Sequence, residues 1–71
     1  MDASAQLAAW RKAKHLKLRQ VAARVGCDPS TLNKIERRKR RPGRDLADKL
    51  EKHAGIAAEL WKRVRIVDQA A

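Results

Sequence analysis

The 71-residue chain has one cysteine, two histidines, two prolines and three glycines, and it lacks tyrosine and phenylalanine altogether. Each scarcity removes a class of solution. With Cys27 alone no disulfide can close within the chain, and His15 and His53 stand in no ligand spacing, so a structural zinc is not expected. A domain this small buries only about 60% of the surface that its unfolded chain exposes, and without staples it must rely on close helix packing. No apolar run is long enough for a membrane span or the core of a signal peptide; with a single thiol, the expected compartment is the cytoplasm. The eight carboxylates are scattered, no nucleophile is spaced beside a base and there is no glycine-rich phosphate loop. Neither an enzyme nor a cofactor is expected.

What is abundant is positive charge. The formal net charge is +10 and the isoelectric point about 10.9, a field that favours polyanions and opposes self-association. It is unevenly spread: residues 1–41 carry 12 Lys/Arg against 3 Asp/Glu, a net of +9, whereas residues 42–71 carry 6 against 5.

Apolar residues recur at helical rather than alternating spacing, and alanine, leucine, lysine and arginine dominate, which predicts a single all-α domain of four to five helices over residues 1–71. A first helix starts at Asp2 or Ser4 as N-cap and runs to about Lys14, with Leu7 and Trp10 inward. Residues 15–17 connect it to a second, in which Leu18, Val21, Ala22 and Val25 form one stripe. Gly26 stops that helix as a left-handed terminator. Asp28 as N-cap and Pro29 in the first turn open a third, short helix reaching about Arg37. Leu32 and Ile35 point inward on it, so Ser30, Thr31, Asn33, Lys34, Arg37 and Arg38 face outward. Pro42 and Gly43 break the chain before a fourth helix, which holds Leu46, Ala47, Leu50 and Ala54 inward and ends at Gly55. The remaining segment, residues 57–71, is expected to carry a fifth helix from about Ala57 to Val67, with a short strand over "VRIV" as the other option.

Two short helices joined by a glycine-containing turn, the second exposing small polar and cationic groups, is the arrangement that fits a helix into the major groove of DNA. A reading helix needs short polar side chains near its N-terminus, where the backbone approaches the base edges most closely, and longer donors one turn later. Ser30 and Thr31, then Asn33 and Lys34, supply that order. The stretch "LAAWRKAKHLKLRQVAARVGCDPSTLNKIERRKRRP" resembles the Cro and lambda-repressor-like helix-turn-helix family, also called Xre, in Ala22, Gly26, Cys27, Asp28, Leu32, Ile35 and Glu36, with the two helices over about 18–37.

The resemblance implies base contacts from Pro29, Ser30, Asn33 and Lys34 and phosphate contacts from Thr31 and Arg37. It also implies a structural ion pair between Arg11 and Glu36. Three positions depart from the family pattern: Leu18 stands for the Gln that often touches a phosphate, Lys17 for the usual Ser or Thr cap, and Arg38 for a common Gly. Lys17 and Arg19 are the candidates to take over the contact that Leu18 cannot make. The run Arg37, Arg38, Lys39, Arg40, Arg41 directly follows the reading helix and is expected to clamp phosphates; a solvated loop or a nuclear-localisation signal are its other readings. Cys27 stands where the family has an aliphatic and is expected to be a small buried hydrophobe, while both histidines belong to the surface or to helix ends. Trp10 is expected in the core, and Trp61 either there or in a dimer contact.

The expected function is therefore a sequence-specific DNA-binding transcription regulator, a small Cro-like repressor of bacterial or phage type bound to a palindromic operator as a homodimer. The dimer contacts expected in the C-terminal segment are Leu60, Trp61, Val64 and Ile66. The expected partner is double-stranded DNA, with neither a membrane nor a metal involved. An antitoxin or restriction-modification controller of the same fold, with a protein partner such as a toxin or an antirepressor, is the near alternative; a non-specific basic nucleic-acid-binding module is the more distant one.

Overall fold

The computed structural model describes residues 1–67. Four α-helices and a 3-10 helix follow one another: α1 (Ala3–Ala13), α2 (Leu18–Val25), α3 (Pro29–Glu36), α4 (Arg44–Ala54) and the 3-10 helix Ala58–Arg63. The described residues contain no strand, and the architecture is all-α.

The helix boundaries follow from local chemistry. Asp2 opens α1, its Oδ1 accepting the Ala5 N–H at 2.9 Å, which satisfies one of the free donors of a helix start. The same helix ends without glycine. His15 adopts φ +57°, and the His15 and Leu16 N–H groups reach back to the carbonyls of Lys12 and Arg11, the paired closure of a Schellman turn. At the start of α2, Lys17 N–H donates to Gln20 Oε1 at 2.7 Å; lysine has no acceptor to return the bond, so only half of a capping box exists. Gly26, at φ +76°, ends α2. A Cβ at that glycine would meet only the tip of the exposed, flexible Lys49 side chain, Nζ at 3.3 Å, so it is the left-handed conformation that restricts the position.

Two expectations need correction. Asp28 does occupy the N-cap of α3, but its side chain accepts no helix N–H; Pro29 at the first turn leaves fewer donors there to satisfy. The C-terminal helix expected over 57–67 is a six-residue 3-10 turn, and Val64 is already extended at ψ 125°. Residues 64–67 form neither helix nor strand. Trp61 and Val64 are both buried, three residues apart, and the Val64 N–H closes the turn on the Trp61 carbonyl at 3.2 Å. The last four residues of the 57–71 segment lie outside the described residues.

All four helices and the 3-10 turn contribute to one core. Leu7, Val21, Leu32, Ile35 and Leu50 are completely buried, and Ile56, Trp61 and Val64 close it from the C-terminal side. Leu16, Leu18, Cys27 and Trp10 pack on it while partly exposed. Complete burial of an aliphatic side chain contributes about 1.5–3 kcal/mol, so Leu32 and Ile35 together hold α3 down firmly enough to fix which side faces water.

Candidate nucleic-acid interface

With Leu32 and Ile35 beneath, the opposite side of α3 consists of Ser30, Asn33, Lys34 and Arg37. Pro29, Ser30, Lys34 and Arg37 are exposed, and Thr31 and Asn33 are half-buried. The side chains of Ser30, Thr31, Asn33 and Lys34 make no hydrogen bond or ion pair with any described residue. The structure thus gathers the expected base-contact residues Pro29, Ser30, Asn33 and Lys34, with Thr31, on the N-terminal two turns of one helix and leaves the polar side chains among them unengaged.

The other end of α3 is fastened by four separate ties. Ser4, a completely buried polar residue, donates from Oγ to the Ile35 carbonyl at 2.8 Å. Arg11 meets Glu36 in a two-bond fork, Nε to Oε2 at 2.7 Å and Nη2 to Oε1 at 3.0 Å. The side chains are only 15% and 8% exposed, and Arg11 Nη1 also donates to the Leu16 carbonyl. Burial opposes the Arg11 charge but the bonds to Glu36 outweigh it, so its guanidinium is held even more firmly protonated than usual. Arg38 forks onto Asp2, Nε to Oδ2 at 2.6 Å and Nη2 to Oδ1 at 3.1 Å, and the bond to Arg38 holds the Asp2 carboxyl below the ordinary carboxylate range. Finally, Val67 N–H donates to the Arg38 carbonyl at 2.7 Å. Arg38 itself sits at φ +61°, the left-handed position closing α3, where Lys39 N–H returns to the Lys34 carbonyl.

These bonds revise the phosphate clamp. Arg37, Lys39 and Arg40 are exposed and free of internal partners. Arg38 is committed to Asp2, and Arg41 donates Nε to the Trp61 carbonyl and Nη2 to the Val64 carbonyl. Of the five cations expected to face phosphates, two therefore act as internal braces, Arg38 for the end of α3 and Arg41 for the C-terminal segment. Lys17 and Arg19 lie exposed at the start of α2 with side chains unengaged, while Leu18 packs against the core.

The expected dimer contacts divide as well. Trp61 and Val64 are 3% and 1% exposed within the protomer, so they belong to the core and offer no surface. Leu60 and Ile66 pack on that core while half-buried, and Val67, next to Ile66, is exposed at 46%. Cys27 is half-buried; desolvation, with the neighbouring Asp28 carboxylate, pushes its thiol above the usual range, away from reactive thiolate character. His15 and His53 are exposed at helix ends. Among the described residues no group of His, Cys, Asp or Glu could hold a metal ion, and no helix is long and apolar enough to cross a membrane.

Sequence reasoning missed three of these features: the buried Ser4, the Asp2–Arg38 fork and the Arg41 brace. The first had a signal. Ser4, Leu7 and Arg11 recur at three- and four-residue spacing, one face of α1. The other two join residues 36 and 20–23 positions apart, and local pattern carries no trace of them.

Compared with known proteins, the chain matches the family model described as helix-turn-helix over residues 7–61. No curated protein matches it, and no solved structure does.

Proposed function

The chain belongs to the Cro and lambda-repressor-like (Xre) helix-turn-helix family of DNA-binding transcription regulators, and from that premise we propose that it is a sequence-specific repressor whose α3 enters the major groove of a palindromic operator. One observation carries the reading: the polar groups of Ser30, Thr31, Asn33 and Lys34 are unengaged on the outer side of α3, while the far end of the same helix is fastened to the rest of the fold. A groove about 12 Å wide admits one helix, and Asn and Lys offer the donors that adenine and guanine edges accept. Pro29 and Ser30 contact bases from the first turn. Lys17, Arg19, Thr31, Arg37, Lys39 and Arg40 bind phosphates around them, which supplies affinity and register without sequence information.

Two copies related by a two-fold axis place their reading helices about 34 Å apart, in successive turns of the groove. With Trp61 and Val64 in the core, the proposed dimer contact contracts to Leu60, Ile66 and their exposed neighbour Val67. So small an apolar area works against a charge of +10 on each copy, so the pair assembles on DNA, where phosphates neutralise the field.

Selection of bound duplexes from a random pool tests the proposal. A palindromic consensus should emerge, bound about 10³-fold or more tightly than unrelated DNA at physiological salt. Recovery of a pool without sequence bias would show instead that binding is confined to the backbone.

A further inference from the structure

Residues 1–41 contain three carboxylates among 12 cations, and they do not share one fate. Asp2 is held by Arg38 and the Ala5 N–H, and Glu36 by Arg11. The Asp28 carboxylate forms no hydrogen bond or ion pair with any described residue. It is exposed and stands immediately before Pro29 and Ser30, at the end of α3 that leads into the groove in the reading above, on which this inference rests. An N-cap aspartate ordinarily turns its carboxylate onto the helix N–H groups; here it does not, and the charge stays exposed to solvent at that end of α3.

We propose that Asp28 is a specificity-determining residue, accepting the N4 amino group of cytosine and disfavouring the other three bases at one position of each half-site. The major-groove edges decide the match. Guanine offers N7 and O6 and thymine offers O4, all acceptors, so both repel a carboxylate. Adenine offers a donor at N6 but flanks it with the N7 acceptor, whereas cytosine presents the N4 donor alone. The same charge acts against non-cognate DNA. Without a facing donor, an anion near the phosphates weakens binding to every sequence, and the gap between operator and random DNA widens from the unfavourable side. The dense cations that follow α3 make this tolerable, because they attract the backbone from a different part of the surface.

The test uses the full chain and two variants, Asp28→Asn and Asp28→Ser. Both keep a favourable N-cap residue while removing the charge, and thermal melts establish that each is folded. Duplexes selected from a random pool by each protein are sequenced, and affinity for one arbitrary duplex is measured at about 0.1 M salt. The wild type is expected to require cytosine at one half-site position by roughly tenfold or more. Each variant should lose that requirement, keep the preferences elsewhere, and bind the arbitrary duplex about threefold more tightly, the size expected for one charge several ångströms from a phosphate in water. A structured wild-type profile that survives unchanged in a folded variant overturns the role of Asp28 and leaves the repressor reading standing. A flat profile in the wild type overturns the repressor reading, and this inference with it.

Discussion

The two ends of α3 are built on opposite principles. From Asp28 to Lys34 no polar side chain is tied to the protein, whereas at the other end Ile35 is tied through its carbonyl to Ser4, Glu36 to Arg11, and Arg38 to Asp2 and Val67, with only the Arg37 side chain among residues 35–38 left unengaged. A side chain that must be offered to a partner cannot also be committed inside the fold, yet the helix presenting it has to be held in place. The protein separates these demands along the eleven residues from Asp28 to Arg38. The end that is fastened sets the angle and position of the helix, and the end that is unengaged keeps its hydrogen-bonding capacity for a ligand.

Substitutions at the two ends should therefore fail in different ways, and the sharpest contrast comes from the buried fork. Glu36→Ala strands the Arg11 guanidinium, which is 15% exposed, and should cost about 3 kcal/mol, lowering the melting midpoint by roughly 12 °C or more. A midpoint equal to the wild type would mean that the end of α3 is not anchored there. At the unengaged end, Asn33→Ala and Lys34→Ala should change stability by no more than about 0.5 kcal/mol while each removes about 1–3 kcal/mol of base discrimination. Urea midpoints paired with binding to all single-base variants of the selected operator read both quantities. Loss of stability with unchanged discrimination would reverse the assignment of the two ends.

Ser4→Ala is a finer probe. Its hydroxyl bonds the Ile35 carbonyl, which keeps a second donor in the Arg38 N–H at 3.2 Å, so the loss should be about 1 kcal/mol in urea unfolding and should leave base preference intact. The smallest effect belongs to Asp2 and Arg38. The folded-state pKa of Asp2 lies below its unfolded value, so the fork contributes stability that is complete above about pH 4, the unfolded value, and disappears as pH falls through the lowered folded value. The melting difference between wild type and Asp2→Asn should accordingly be present at pH 7 and shrink on acidification; a difference independent of pH would remove the ion pair from the account. Arg38→Gly trades the fork for relief of a left-handed arginine, so it should stabilise the Asp2→Asn background more than the wild type. Equal changes in both backgrounds would show that the fork offsets nothing.

Most of the fold could be read from punctuation. Gly26 with Pro29, and Pro42 with Gly43, interrupt helical spacing at places where backbone conformation leaves little choice, and they mark the end of α2 and the starts of α3 and α4; the ends of α1 and α3, at His15 and Arg38, carry no such mark. The C-terminal segment has no such mark. Its apolar residues fit an α-helix about as well as a 3-10 turn, and their spacing alone does not decide between them. At the candidate interface, the outward residues of α3 were legible because Leu32 and Ile35 define its buried side. Which cations of the run 37–41 face outward was not. A guanidinium is suited equally to a phosphate and to a carboxylate or carbonyl, and only the folded positions of Asp2, Trp61 and Val64 show that Arg38 and Arg41 are taken.

Two helices of this chain end on left-handed residues that are not glycine, His15 and Arg38. Such a residue carries about 1–2 kcal/mol of backbone strain, partly offset at Arg38 by its fork with Asp2, whereas exposed His15 has no such partner. Replacement by glycine at His15 recovers most of that strain, less about 0.5–1 kcal/mol for the greater freedom of glycine in the unfolded chain. The natural sequence thus stands below the stability its own backbone permits. That margin leaves room for change: a substitution on the outer side of α3 that costs a modest amount of stability could be offset by one glycine at position 15, in a different part of the chain.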